Sequence, residues 1–315
     1  MRAVTIANEQ LTISEHPDPE PGAGEVLIRV RAAGINGADM LQLRGRYPAP
    51  PGAPQDIPGL ELAGVVEAVG EGAARFAAGD RVMAIVAGGG QAELAVVHER
   101  QLMRVPDSLD WDKAGGLPEV VTTAHDALIT QSGLRAGDRL LVHGASGGVG
   151  TAAVQIGRLV GAHVTAITRH EAHKVRLIEL GANEVVTPPE FVEREPYDVI
   201  LELIGAPNLH DNIKSLAIGG RIMVIGIAAG AKAELNLALL LAKRGRILGS
   251  TLRARPLEEK ALTARAVEHS VLPSVANGSF EVPIAATFPL DRADEAYEHF
   301  REGGKLGKVV LTSDA

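Results

Sequence analysis

The sequence predicts an α/β protein in which a doubly wound parallel sheet follows a strand-rich domain of different character. Three observations carry that prediction. An apolar run from Leu140 to Val142 empties through His143 into Gly144-Ala145-Ser146-Gly147-Gly148-Val149-Gly150 and then into a helical pattern. From there to about residue 255 strand-like and helix-like segments alternate. The first 120 or so residues are instead rich in Gly, Pro and short alternating strands, as an irregular antiparallel domain would be.

In the first stretch Glu25 to Arg31 and Leu62 to Val69 alternate apolar and polar residues. In the second, Arg139 to His143 reads as a strand and Gly148 to Val160 as a helix, with Val149, Ala153, Ile156 and Val160 on one face. Gly161 to Thr168 supplies the next strand, and Val185-Val186, Val199 to Glu202, Ile222 to Ile225 and Ile247 to Thr251 continue the series. The apolar stretch Leu235 to Ala242 is expected inside a buried helix. Arg292 to Glu302 forms an amphipathic helix and Lys308 to Leu311 a strand, a segment too small to stand alone. It is therefore expected to complete the first domain, giving domains of 1–120 with 256–315, and 121–255.

Composition narrows the chemistry. The 315 residues are 46% hydrophobic, enough for two cores, and carry a net charge of −8. That sign argues against a nucleic-acid partner, whose backbone is neutralised by Lys and Arg. There are no cysteines, so disulfides, thiol nucleophiles and thiolate metal sites are excluded together. His170 and His173 are the closest histidine pair, and two imidazoles do not complete a zinc shell, so no metal site is expected. The apolar stretches are too short to span a membrane, and the opening residues lack an export pattern, so a cytoplasmic location is expected.

A strand that ends in a glycine-rich turn and opens a helix is built to hold a pyrophosphate. Small residues let the backbone approach it, and free N–H groups at the helix start face its charge. Ala145, Ser146, Gly147, Gly148, Val149 and Gly150 are the expected contacts, with Ala145 standing where the fingerprint has its first glycine. The end of the next strand decides which dinucleotide. An NAD site places Asp or Glu there for the ribose hydroxyls, whereas this chain has Thr168-Arg169-His170. With no acid to repel a 2′-phosphate and a guanidinium to grip it, NADP(H) is expected, with Arg169 as the principal contact and Lys174 and His170 assisting. The plainer alternative is a solvated, charged helix start.

The order of strand-rich domain, cofactor unit and returning C-terminal segment resembles the medium-chain dehydrogenase/reductase superfamily over essentially the whole chain. Gly34-Ile35-Asn36-Gly37-Ala38-Asp39 stands where zinc-dependent alcohol dehydrogenases have G-x-C-x-x-D, and Gly59-Leu60-Glu61 replaces their G-H-E. Asn36 and Leu60 thus occupy the two ligand positions. The four-cysteine structural-zinc lobe is bridged by the short Gly88-Gly89-Gly90-Gln91-Ala92-Glu93 stretch. The chain is therefore similar to the zinc-free quinone oxidoreductase branch. Within it, Asn36 to Tyr47, Gly88 to Ala92, Pro118-Glu119 and Leu252-Arg253-Ala254-Arg255 are similar to the stress-inducible mammalian members.

The resemblance implies a GroES-like strand-rich catalytic domain, a Rossmann NADP-binding domain and NADPH-dependent reduction of quinones. An enone or alkenal reductase, or a cofactor-binding protein with little turnover, are the alternatives. By position it also implies that Thr123, Gly226, Arg253, Arg255 and Lys308 line the cofactor, each having a routine surface or helix-start alternative. Asn36 can hydrogen-bond a carbonyl or the nicotinamide ribose, and Tyr47 can orient a flat acceptor. For both, a loop role is the competing reading. Glu61 reads as a structural carboxylate, and Asp39 as the residue that fixes the Asn36 loop. The strand near Arg246 to Leu252 is expected at the outer edge of its sheet, pairing two subunits into a homodimer unless Lys243, Arg244 and Arg246 guard it.

Overall fold

The computed structural model describes residues 1–194 and 196–313. The chain divides into two compact units, Met1–Thr122 together with the chain from Leu252 onward, and Thr123–Thr251. The first unit opens with β1 (Arg2–Ala7) and β2 (Gln10–Glu15), an antiparallel pair. Then come β3 (Glu25–Ile35), α1 (Gly37–Leu43), β4 (Glu61–Val69), β5 (Arg81–Ile85), β6 (Leu94–His98) and β7 (Met103–Arg104). α2 (Trp111–Gly116) and α3 (Pro118–His125) follow, and the division between units falls inside α3.

The second unit contains β8 (Arg139–Val142), α4 (Gly148–Val160), β9 (His163–Ile167), α5 (Lys174–Leu180), β10 (Glu184–Val186), β11 (Tyr197–Glu202), α6 (Leu209–Ser215), β12 (Leu216–Val224), α7 (Leu237–Lys243) and β13 (Arg246–Gly249). Its strands run parallel in the order β10-β9-β8-β11-β12-β13, so the strand order reverses beside β8. Such a reversal opens a crevice at the carboxyl ends of the strands, where dinucleotides bind in sheets of this kind. Leu141, Ile167, Ile200, Ile213 and Ile222 meet in a buried cluster on one face of this sheet. α4 ends where Gly161 turns left-handed, with φ 85°, and its N–H bonds back to Arg158.

The chain then returns to the first unit through α8 (Leu257–Ser270), α9 (Leu272–Ala276), β14 (Ile284–Pro289), α10 (Ala293–Glu302) and β15 (Lys308–Thr312). Here the sheet order is β14-β15-β3-β4-β5-β7, with β6 also paired to β3. β15 runs antiparallel to β3, with Val309 opposite Ile35, and β3 runs antiparallel to β4. The start of β15, the end of β3 and the start of β4 therefore lie at one end of the sheet. Residues 308, 36 and 61 meet there. Val26, Ile28, Leu62, Val66, Val82 and Ala84 fill one core of the unit, while Ile35, Tyr297, Val309 and Leu311 fill another.

One sequence expectation fails here. The apolar stretch Leu235 to Ala242 does not form a buried helix: α7 has no buried residue, and Leu237 and Leu241 are 63% and 77% exposed. Only Leu239 and Leu240 reach the sheet core. Apolar residues encircle this helix, and a helix on a sheet presents a single stripe to it, so the others are left facing outward. β13, beside it in sequence, is the outer strand of the sheet, as expected.

Candidate functional site

Two groups of residues stand out, one in each unit. In Thr123–Thr251 the left-handed turn falls at Gly144, with φ 62°, one residue before Ala145. That shift explains why alanine is admitted: Ala145 is fully buried and its N–H bonds to Ile167 O at 3.1 Å. Gly150 cannot be replaced so easily, because an added Cβ would collide with Gly144 O and the Ala145 backbone. Gly147 caps α4 without any side-chain bond, so the first turn of the helix keeps its N–H groups for an anion. Gly148 and Val149 lie in that turn.

Around the turn, Ser146 Oγ contacts Thr168 Oγ1 at 2.9 Å and His173 Nδ1 at 3.0 Å, and His170 N donates to Thr168 Oγ1 at 3.1 Å. These bonds tie the glycine turn to the end of β9. Arg169 is exposed and has no hydrogen bond or ion pair among the described residues. Lys174 is instead paired with Glu171 at 2.9 Å. Thr123 is buried within α3. Gly226 packs on Leu203, where a Cβ would strike the carbonyl.

Beneath the turn lies a cluster that the sequence reading did not single out. His143 is buried and its Nε2 meets Asn212 Oδ1 at 2.7 Å, which places the proton on Nε2. Asn212 Nδ2 donates to Glu202 Oε2 at 2.7 Å, and Glu202 Oε1 accepts from the N–H groups of Ile204 and Gly205. Burial lowers the pKa of His143, with the Glu202 carboxylate opposing. This network joins the ends of β8 and β11, the strands that flank the reversal. Its only sequence signal is a charged residue closing the apolar run Val199-Ile200-Leu201.

In the first unit the end of β3 and the starts of β4 and β15 assemble a charged group. Lys308 Nζ donates to Ile35 O at 2.9 Å, Asn36 Oδ1 at 2.6 Å and Glu61 Oε1 at 2.6 Å. Lys308 is 3% exposed and Glu61 0%. Asn36 Nδ2 donates to Glu61 Oε1 at 2.9 Å and Gly34 O at 3.3 Å, while Glu119 N donates to Glu61 Oε2 at 2.8 Å. An ammonium can only donate, so it fixes which way the Asn36 amide faces. Asn36 is left with one lone pair on Oδ1 and no free N–H. Of the two roles expected for it, bonding a carbonyl needs a donor it no longer has, while accepting from a ribose hydroxyl remains open.

Asp39 is buried beside this group and accepts from Asn36 N at 2.8 Å and Gly59 N at 3.1 Å. Burial pushes its pKa up to about 6 despite those donors and the nearby Lys308 charge. Arg253, also buried, donates to Tyr47 O and Ala87 O, each at 2.7 Å, and to Gln42 Oε1 at 2.6 Å. Its guanidinium lies 5.1 Å from the Tyr47 ring centre. Arg255 faces Glu259 at 3.8 Å. The side chains of Arg253 and Lys308, both expected to line the cofactor, thus have these partners inside their own unit. Tyr47 is half-buried, burial raises its pKa, and its hydroxyl has no partner among the described residues.

Among known families, the alcohol dehydrogenase GroES-like domain matches residues 22–107 and the zinc-binding dehydrogenase family residues 148–268. Quinone oxidoreductases of Rattus norvegicus and Homo sapiens are each 33% identical over 93% of this chain and 90% of their own length. An acryloyl-coenzyme A reductase of Metallosphaera sedula is 30% identical over 99% of this chain and all of its own. A crystal structure of an NAD-dependent alcohol dehydrogenase superposes with a TM-score of 0.87 at 31% identity, covering 99% of both chains. The chain belongs to the medium-chain dehydrogenase/reductase superfamily, in its quinone oxidoreductase branch.

Membership brings a nicotinamide dinucleotide, and the glycine turn with its open N–H groups fits one. A metal fits poorly. Leu60 is apolar and buried, Asn36 Oδ1 is already bonded to an ammonium, and among the described residues no three His, Cys, Asp or Glu side chains converge to hold an ion.

Proposed function

We propose that the chain is an NADPH-dependent oxidoreductase that reduces quinones without a metal. The reading rests on one observation above the others: an amide bonded to an ammonium, and a buried leucine, stand at the two positions where zinc-dependent members place ligands. A simple ketone needs an electrophile on its oxygen to accept hydride, whereas a quinone spreads the new charge over its own π-system. The reduced nicotinamide supplies that hydride when bound. Ser146 to Gly150 would hold the pyrophosphate and the unpartnered Arg169 the 2′-phosphate, with Thr168, Thr123 and Gly226 lining the same unit. Lys174, already paired to Glu171, would assist only by exchanging that partner. Tyr47, a phenol that burial makes still harder to ionise, would offer its hydroxyl to the acceptor oxygen.

A second reading has its own support. The acryloyl-coenzyme A reductase relative is named for an α,β-unsaturated thioester, so conjugated enones and alkenals are the alternative acceptors. Oxidation of NADPH and NADH by the purified protein, followed with a panel of quinones and enones, separates these readings. Turnover with quinones and NADPH is expected; turnover with enones alone selects the alternative, and tight cofactor binding without turnover leaves a binding protein.

The proposal extends to assembly. β13 is an outer strand paired, among the described residues, only with β12, and Leu237 and Leu241 of α7 are exposed beside it in sequence. Pairing two copies along this edge satisfies the backbone and closes the assembly as a homodimer. No helix among the described residues is long and apolar enough to cross a membrane.

A further inference from the structure

We infer that Lys308 is a fixed internal cation bonded to the side chain at one of the two positions that carry ligands in zinc-dependent members, and that it is a positioning residue acting through Asn36. The geometry carries this. The ammonium makes three bonds of 2.6 to 2.9 Å to Ile35 O, Asn36 Oδ1 and Glu61 Oε1, which uses all its protons. Asn36 is in turn held from both ends, by Lys308 at Oδ1 and by Glu61 at Nδ2. The surrounding backbone is shaped to admit the pair. A Cβ at Gly34 would collide with Glu61 Oε1 and come within 2.9 Å of Lys308 Cε, and one at Gly116 would lie 3.3 Å from Lys308 Cβ and Cγ. Gly34 is thus required for space beside the pair.

Two consequences follow from a cation built in by the chain. The carboxylate and amide oxygens that would attract a divalent ion are already bonded to a positive charge, so the pocket rejects metals. The single free lone pair of Asn36 Oδ1 points in one direction, set by Lys308, and the effect of Lys308 on turnover passes through that atom. The kinetic half of this inference rests on the oxidoreductase reading above; the metal half does not.

The test uses the full chain, as wild type, Lys308→Met, Asn36→Ala and the double variant. Cobalt(II) is titrated into the wild type and followed by visible absorption and elemental analysis; no stoichiometric uptake is expected, and one ion bound per chain overturns the inference. Reductive methylation with mass spectrometry needs no variant: Lys308 should stay unmodified with and without NADPH. Modification in the free protein and protection by NADPH would show an amine that leaves Glu61 for the cofactor, and would overturn it. In kinetics, Lys308→Met should lower kcat for a benzoquinone about ten- to a hundredfold, the scale of a lost charge-assisted bond. The NADPH dissociation constant, read by fluorescence, should rise by no more than it does in Asn36→Ala, since the remaining lone pair of Asn36 Oδ1 is the one left for the ribose hydroxyl. Acting through Asn36, it should make the double variant no worse than the poorer single one; multiplying effects would overturn the positioning role. A wild type that turns over no quinone would defeat the proposed substrate, while the cobalt and methylation results would still decide this inference.

Discussion

The glycine turn of the second unit and the charged group of the first are both built for charge, by opposite means. At the turn the work is done largely by backbone, through a left-handed Gly144 and a helix start without a side-chain cap, beside an exposed Arg169 that has no partner among the described residues. In the first unit it is done by side chains: Lys308, Glu61 and Asn36 are buried and mutually bonded, and buried Asp39 accepts from the Asn36 backbone N–H. A site made of open donors is ready for a ligand and contributes little to stability. One made of closed pairs is costly to disturb and selects against foreign ions.

Mutation should separate the two. The largest effect is expected from Lys308→Met, which leaves the Glu61 carboxylate buried without its counter-charge; loss of about 3–5 kcal/mol of stability should appear in urea unfolding. Next comes Asp39. Its pKa is raised in the folded protein to about 6 from the usual 3.8, so between roughly pH 4 and 6 the native state keeps a proton that the unfolded chain has lost. Stability should therefore fall as pH rises through that window, by about 3 kcal/mol from this group, and Asp39→Asn should flatten the slope in paired unfolding curves.

Arg169→Ala reverses the pattern. It should leave unfolding unchanged while weakening NADPH binding by about 1.5–3 kcal/mol and NADH binding hardly at all, which calorimetry can read. Equal affinity of the wild type for both cofactors would remove Arg169 from the 2′-phosphate site. The smallest effect on the single chain, under about 0.5 kcal/mol, is expected from Leu241→Asp on exposed α7. Light scattering should nonetheless show the mass fall from a dimer to about 32.9 kDa.

Legibility in the sequence followed the same division. Gly144 to Gly150 is a contiguous pattern whose physics is local, so the turn, α4 and the strands around them were foreseeable to within a few residues. β12 was the exception. It begins at Leu216 and not Ile222, because its register with β11 shifts around Gly219 and Gly220, residues that carry no strand signal. The partners of Lys308 were hidden for a different reason. Residues 36, 61 and 308 are brought together by the strand order β15-β3-β4, and no spacing in the chain encodes an order of strands. α7 misled because hydrophobicity alone does not say which side of a helix finds a neighbour.

The strand that carries Lys308 also sets a schedule. Ribosomes deliver the chain from its N-terminus, and domains tend to fold as they emerge. Thr123–Thr251 is a continuous segment and can close on itself once synthesised, whereas one edge of β3 must wait for β15, which begins more than fifty residues after Thr251. Until then Glu61 has no ammonium beside it, and the edge of β3 that β15 will cover stays open to strangers. The first unit is therefore completed last, and the arrival of β15 closes an open strand edge and a buried ion pair together.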